Sequence, residues 1–189
     1  QVIGRVLCIE AVLMLLPMVA ALAYGESPAP FLITIAITGG IGLVMWRVRA
    51  KSGGITARDG FLIVGLSWIA MSLFGALLFV LTGDIPNYID ALFETISGLT
   101  TTGASVVTSP ESMTRGGMFW RLFTHWIGGM GILVFVLAVL PMSGNRSMHI
   151  MRAEVPGPTV GKLVPRIRKT ASILYLLYIA LTLVETVLL

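Results

Sequence analysis

The sequence has little charge and almost no cysteine, and both shortages narrow what this protein can be. Asp, Glu, Lys and Arg make up 12% of the 189 residues, about half the share in an average soluble domain. Hydrophobic residues make up 56%, which is more than a soluble chain of this length can bury. The composition therefore excludes a soluble enzyme and a disordered chain, and it predicts an integral membrane protein. The single Cys8 excludes an internal disulfide and a zinc site built from cysteines.

Stretches without any charged residue predict membrane-spanning helices, because each approaches the roughly 17–25 residues needed to cross a bilayer. They are residues 11–25, 27–46, 60–83, 122–145 and 170–184. We therefore expect an all-α fold with helices at about 5–24, 30–48, 58–82 and 116–142, and a further helix that begins near 168. Pro17 should kink the first of them. The sequence stops inside the last span, so we interpret the chain as part of a longer protein.

Loop charges predict how these helices are oriented. Most Lys and Arg lie in the second and fourth loops, whereas the first and third carry mainly Asp and Glu. Basic loops stay in the cytoplasm, so loops two and four are expected inside and loops one and three outside. The net charge of +4 thus reflects orientation, and no nucleic-acid partner is expected. A cleavable secretory signal is the alternative for the N-terminus, but removing the first helix would break the alternation.

The third loop contains a segment that is unlike a membrane span. Residues 86–98 fit a short helix with Asn87 as its N-cap and Gly98 as its terminator. About eleven residues cannot cross a bilayer, which indicates a half-helix that dips in from outside. Its apolar residues share one stripe at helical spacing; they are Ile89, Leu92, Phe93 and Ile96.

The half-helix is followed by a run of three threonines and a glycine, Thr100, Thr101, Thr102 and Gly103, which we call the Thr–Gly segment. Consecutive β-branched residues favour an extended backbone. At membrane depth such a backbone is tolerated only where it is buried in protein or lines water. Its carbonyls, together with those of equivalent segments, can replace the hydration shell of a monovalent cation. Gly103 is expected to adopt φ angles that are closed to other residues.

These residues resemble a known family. The run ALFETISGLTTTGA at 91–104 is similar to the first pore loop of the Trk/Ktr/HKT potassium transporter superfamily, and THWIGGMG at 124–131 resembles the start of the following helix. Two helices ahead of this repeat resemble the bacterial TrkH/TrkG type. Complete family members have four such repeats around one pore. The resemblance divides the chain into two N-terminal helices (1–57), a first helix–pore loop–helix repeat (58–142), and a cytoplasmic linker with the first helix of a second repeat (143–189).

The resemblance implies a potassium transport subunit, multi-pass in the plasma membrane, which in bacteria is the inner membrane. Potassium would be the substrate, bound by backbone carbonyls of the Thr–Gly segment, and no covalently bound cofactor is expected. The family implies a homodimer and a cytoplasmic nucleotide-binding regulatory subunit of the TrkA type, for which Arg146 and Arg152 in the linker are candidate contacts. Passive conduction and symport with protons or sodium remain alternatives.

Charged and small residues near the Thr–Gly segment have two interpretations each. Four acids are candidates for an outer vestibule that concentrates cations, with helix capping as the alternative; they are Asp84, Asp90, Glu94 and Glu111. Arg121 is expected to pair with Glu94 or Glu111. His125 has either a packing or a pore-related role. Glycines in 128–131 serve either close helix packing or a gating hinge.

Other function classes fit the sequence less well. An intramembrane serine protease would need Gly where Thr95 precedes Ser97-Gly98, so no enzyme is expected. A broken-helix transporter for another small solute is the alternative to a potassium pathway. There the amino end of the half-helix should bind an anion, but it carries Asp90 and no basic residue.

Overall fold

The computed structural model of the protein describes residues 1–48, 57–131 and 163–188. The secondary structure in these ranges is helical. The helices are α1 Val2–Leu13, α2 Leu15–Ala23, α3 Ala29–Arg47, α4 Ala57–Thr82 and α5 Tyr88–Leu99, then α6 at 115–131 and α7 Leu163–Leu188. A single 3-10 turn, Pro110–Ser112, lies ahead of α6. The chain forms two compact units, Gln1–Gly128 and Gly129–Leu189.

Membrane-spanning length and composition are found where the sequence predicts them. Within the described residues, Val2–Ala23, Ala29–Arg47 and Asp59–Thr82 are long and apolar enough to cross a bilayer. Large apolar side chains on these helices lie exposed, such as Val12 at 64% and Val44 at 67%. Such exposure suits a lipid environment. The chain is therefore an all-α integral membrane protein, as expected.

The first span is interrupted just before the expected proline. Helix α1 ends at Leu13 and α2 begins at Leu15, so the break is at Met14, three residues before Pro17. Proline has no amide hydrogen for the carbonyl four residues earlier, here Leu13, and its ring clashes with that carbonyl. Hydrogen bonds continue across the break, from the Met14 amide to the Glu10 carbonyl at 2.9 Å and from the Met18 amide to the Met14 carbonyl at 3.3 Å.

Helices α1 and α3 cross with their backbones in contact. A Cβ placed on Gly4 would lie 2.6 Å from the Gly42 carbonyl oxygen, and one placed on Gly42 would lie 2.9 Å from Cys8 Sγ. Small residues let membrane helices approach this closely. At this contact, two glycines let the backbones of α1 and α3 pack together.

The core of the first unit lies where α4, α5 and α6 meet. Trp120 on α6 is 1% exposed, and its indole nitrogen donates to the Gly75 carbonyl at 3.1 Å. Phe79 on α4 and Ala91 on α5 are fully buried in the same cluster. This packing fixes the short helix α5 against the two longer helices on either side of it in sequence.

Two expected boundaries involve the last part of the chain. Helix α7 begins at Leu163 rather than near 168. Pro165 lies in its first turn, where a missing amide hydrogen has no helical partner to lose. The predicted end of the fourth helix near 142, together with Arg146 and Arg152 of the linker, lies outside the described residues.

Inside the second unit, Tyr178 packs on Gly129, since a Cβ there would lie 2.6 Å from the Tyr178 hydroxyl oxygen.

Candidate functional site

The short helix begins as the sequence predicts. Asn87 has an extended backbone, and its side-chain oxygen accepts a hydrogen bond from the Ile89 amide at 2.9 Å. This is the N-cap arrangement. The Tyr88 hydroxyl donates to the Leu73 carbonyl at 2.9 Å, which attaches the start of α5 to α4.

Most of the apolar stripe of α5 lies on its exposed side, although Leu92 packs against the core. Ile89 is 67% exposed, Phe93 46% and Ile96 42%. The buried residues of the helix are mostly small or polar; they are Ala91, Glu94, Thr95, Ser97, Gly98 and Leu99. Periodicity thus identified the helix, but the face that packs against the chain is the hydrogen-bonding one.

The helix does not end at Gly98 as expected. It continues through Leu99, and the left-handed residue that closes it is Thr101, with φ of 56°. The Thr101 amide bonds to the Gly98 carbonyl and the Thr102 amide to the Ser97 carbonyl, both at 2.9 Å. This pair of bonds is a Schellman motif built on a threonine. Gly98 is needed for space instead, because a Cβ there would overlap Thr124 Oγ1.

The Thr–Gly segment is exposed along its whole length and has no regular secondary structure after Thr101. Gly103 has φ of 76°, in the left-handed region expected for it. Nothing lies within 4 Å of a Cβ placed there. The glycine is therefore required by its backbone angles and not by lack of room. The Thr100 hydroxyl contacts the Ile96 carbonyl at 2.7 Å and the Thr102 hydroxyl at 2.8 Å, so both side chains are held by the protein.

Polar contacts hold the chain immediately beyond the segment. The Ser97 hydroxyl donates to the Ala104 carbonyl at 2.5 Å. Glu94 accepts from the Ser105 hydroxyl at 3.0 and 3.1 Å and from the Val106 amide at 3.0 Å. These hydrogen bonds attach the chain that follows the Thr–Gly segment to the half-helix that precedes it.

Glu94 also forms the ion pair that joins α5 to α6. Its Oε1 lies 2.5 Å from Arg121 Nε, and its side chain is 1% exposed. We call this pair the Glu94–Arg121 brace. Of the two acids expected for Arg121, Glu94 is its partner. Because Glu94 is buried and bound, it does not present its charge to a vestibule, which revises that expectation for this residue.

The other vestibule candidates lie in different settings. Asp84 accepts from the Thr114 amide and hydroxyl, both at 2.7 Å, and from the Thr82 hydroxyl at 2.8 Å. It therefore holds Thr114, whose hydroxyl oxygen accepts from the Gly117 amide at 3.0 Å and caps the start of α6. Asp84 and Asp90 also line a pocket of about 320 Å³ with residues 106–109. Glu111 is exposed in the 3-10 turn.

Glu26 has a role that the sequence did not predict. Its two carboxylate oxygens accept from the Arg115 amide at 2.6 Å and the Gly116 amide at 2.9 Å. A carboxylate at this end of a helix also interacts favourably with the helix dipole. The contact brings the first and third loops to the same side of the helices, as the charge alternation requires.

Helix α6 packs directly behind the Thr–Gly segment. A Cβ on Gly128 would overlap the Leu99 carbonyl oxygen, so this glycine has the close-packing role that was one of its two interpretations. His125 Nδ1 lies 3.0 Å from the Arg121 carbonyl oxygen. The same ring nitrogen would lie 3.4 Å from a Cβ on Gly98, which gives His125 a packing position behind the half-helix.

Comparisons with known proteins agree with the resemblance in the sequence. The TrkH family model, described as a cation transport protein, matches residues 29–189. The chain is 39% identical over 187 residues to the Trk system potassium uptake protein TrkH of Vibrio parahaemolyticus, covering 96% of this chain and 38% of that protein. It is 38% identical over 179 residues to TrkG of Escherichia coli, covering 93% and 37%. The chain thus spans less than two fifths of these relatives.

Proposed function

We propose that this chain is the N-terminal part of a potassium uptake protein. The premise is that the chain belongs to the TrkH family of cation transport proteins. In this proposal its Thr–Gly segment supplies one of the segments that surround a potassium pathway. The names of the relatives, which are Trk system potassium uptake proteins, support potassium as the substrate. A family of transporters also agrees with the expectation that the protein is not an enzyme.

The observation that carries the proposal is the geometry of residues 100–103. The segment is exposed and follows directly on the partly buried helix α5, and both Thr101 and Gly103 have positive φ. Alternating the sign of φ along a short segment changes the direction of successive carbonyls. Fixed carbonyls from several such segments are what replaces the water around a dehydrated potassium ion.

The electrostatics of α5 support a cation at this position. The helix ends at Leu99, so its carboxyl end, the negative end of the helix dipole, lies at the start of the Thr–Gly segment. A cation held by residues 100–103 would interact favourably with that end. The Glu94–Arg121 brace leaves no net charge of its own beside the segment, so the carbonyls and the dipole provide the attraction.

The surrounding parts of the proposal follow from family membership. The protein would be multi-pass in the bacterial inner membrane, would act as a homodimer, and would bind a regulator of the TrkA type through the basic linker, with Arg146 and Arg152 as contacts. Asp84, Asp90 and Glu111 would form the outer vestibule. The domain division at 57 and 142 belongs to the same proposal.

Replacing Gly103 with Ser in the full-length protein tests the function. A residue with a Cβ is strained by about 1–2 kcal/mol in the left-handed region, so the carbonyl must rotate or the strain must be accepted. We expect lower potassium uptake and a potassium-to-sodium ratio reduced by up to about tenfold, the equivalent of 1.4 kcal/mol. Uptake of potassium and of sodium into reconstituted vesicles measures both the flux and the ratio.

Gly25→Ser is the matched control, because Gly25 also has positive φ, 73°, with nothing within 4 Å of a Cβ, and lies in the first loop. It should leave uptake and selectivity unchanged. If Gly103→Ser inserts normally and keeps the flux and selectivity of the unaltered protein, the segment is not the filter and the proposed function is wrong.

A further inference from the structure

Glu10 is a carboxylic side chain in the interior of the first membrane span. It lies in α1, well inside the span Val2–Ala23, and is 1% exposed. Its Oε2 has no hydrogen-bond partner among the described residues.

The carboxyl group of Glu10 lies against a glycine of α4. A Cβ placed on Gly75 would be 3.1 Å from Glu10 Oε1, 3.0 Å from Thr95 Cγ2 and 3.3 Å from Trp120 Cζ2. Side chains from α1, α5 and α6 therefore converge on one position of α4. Thr95 and Trp120 are buried there, at 0% and 1% exposure. We call these four residues the Gly75 junction.

Two members of the Gly75 junction are sequence neighbours of the Glu94–Arg121 brace. Thr95 follows Glu94 in α5, and Trp120 precedes Arg121 in α6. Trp120 is also anchored to α4 through its hydrogen bond to the Gly75 carbonyl. Because protein interiors are closely packed, a displacement of Thr95 or Trp120 shifts the neighbouring member of the brace. The brace in turn holds Ser105 and Val106, just beyond the Thr–Gly segment.

A buried carboxyl with a free oxygen opposes stability, because a polar atom loses its water and gains no partner. An apolar side chain of similar size would suit the span better. Local features that oppose stability are expected at functional sites rather than in ordinary packing. The position of Glu10 at the junction is therefore better explained by the site it supports than by the stability of α1.

We propose that Glu10 is a positioning residue for ion selection, acting from the N-terminal helix through the Gly75 junction on the Glu94–Arg121 brace. This inference rests on the proposed function, in which residues 100–103 select potassium. It gives the N-terminal helix pair a part in selectivity beyond that of a membrane anchor. Glu10 touches no ion in this proposal and acts only by holding Thr95 and Trp120 in place.

The test compares Glu10→Ala with Glu10→Gln in the reconstituted full-length protein. Glu10→Ala removes the contact with the junction, and we expect the potassium-to-sodium uptake ratio to fall about threefold, within the range found for residues that act at a distance. Glu10→Gln keeps the shape and one oxygen, so it should restore the ratio. A purely structural role would lower the amount of folded protein and leave the ratio unchanged.

Gly75→Ala provides a second measurement if Glu10→Ala fails to accumulate. The added methyl group would press on the same three side chains, so this change alone should also lower the ratio. Removing the Glu10 carboxyl makes room for the methyl group, so the double variant should lose less than the sum of the single effects. Ser67→Ala is the control, because Ser67 is a buried residue two turns away on the same helix whose hydroxyl bonds only within it.

The outcomes separate this inference from the function it rests on. If Gly103→Ser changes the ratio while Glu10→Ala and Gly75→Ala leave it unchanged, Glu10 is not a positioning residue and the filter proposal stands. If none of the three changes the ratio, the filter proposal itself is wrong. A ratio lowered by Glu10→Ala, restored by Glu10→Gln and unchanged by Ser67→Ala supports the inference.

Discussion

Helices α1 and α3 meet at glycines, whereas the contact between α5 and α6 adds a buried ion pair to the close packing of Gly98 and Gly128. At the first contact Gly4 and Gly42 bring two backbones together. At the second, Glu94 binds Arg121, Ser105 and Val106 at once. Packing between small residues is sufficient to associate membrane helices. The exposed Thr–Gly segment has two left-handed residues, so its backbone must be held in orientation as well as in position. Hydrogen bonds and ion pairs between polar groups are directional and can do both.

The largest expected effect comes from breaking the polar contact. Glu94→Ala leaves the Arg121 side chain, 16% exposed, without its partner and frees the chain after the Thr–Gly segment. Loss of one member of a buried ion pair typically destabilises by about 3–5 kcal/mol. We expect a markedly lower unfolding temperature and little potassium uptake, measured on purified protein and in vesicles.

Asp90→Ala is the matched control for Glu94→Ala. Asp90 is an acid one turn earlier on the same helix and is only partly buried. It should change the unfolding temperature much less. If Glu94→Ala unfolds at the temperature of the unaltered protein, the brace does not hold the two helices together and the contrast between the two contacts is wrong.

A smaller effect should follow from crowding the glycine contact. A Cβ at Gly42 would lie 2.9 Å from Cys8 Sγ and 3.0 Å from the Gly4 carbonyl oxygen, so Gly42→Ala pushes α1 and α3 apart. Overpacking of this kind destabilises by about 1–3 kcal/mol. Thermal unfolding of the purified protein measures this loss of stability.

Gly40→Ala is the control for the glycine contact, because nothing lies within 4 Å of a Cβ there. It should be neutral. The contact at Gly42 reaches Cys8, two residues before Glu10 on α1, so the potassium-to-sodium ratio of the inserted Gly42→Ala protein should be measured as well. A changed ratio in that protein would mean that α1 and α3 influence the Thr–Gly segment as one body.

The sequence was sufficient for the features that depend on local chemistry. The length of the apolar stretches predicted the spans, and Pro17 predicted the interruption of the first span. Asn87 was expected as an N-cap and Gly103 in the left-handed region, and both are found there. Each of these depends on a residue and its immediate neighbours. The exposed apolar stripe of α5 was not predicted, because periodicity identifies residues that share a face but not the medium that the face meets.

The features that the sequence did not predict depend on distant partners. A glycine serves either a turn or a close contact, and only the approach of Thr124 shows that Gly98 serves the second. Glu26 meets residues 89 and 90 positions later. Glu10 meets Gly75 on another helix. The residues next to an isolated acid do not show whether it caps a helix, makes a buried contact or is an ordinary loop charge.

The smallest expected effect concerns the cap that Glu26 provides for α6. Glu26→Gln keeps one acceptor oxygen but removes the negative charge at the amino end of the helix, where it lies 2.6 and 2.9 Å from two backbone amides. The charge–dipole part of such a contact is worth about 0.3–1 kcal/mol and is screened by salt. We expect a slightly lower unfolding temperature at low ionic strength and a smaller difference at high salt.

Glu111→Gln removes an exposed charge in the loop just before α6 and should cause a smaller shift. Equal shifts for the two variants would show that the loss of any acid in these loops has this effect. A shift specific to Glu26 would show that even the solvent-facing edge of the α6 contact depends on directed polar bonds, in contrast to the glycine contact between α1 and α3.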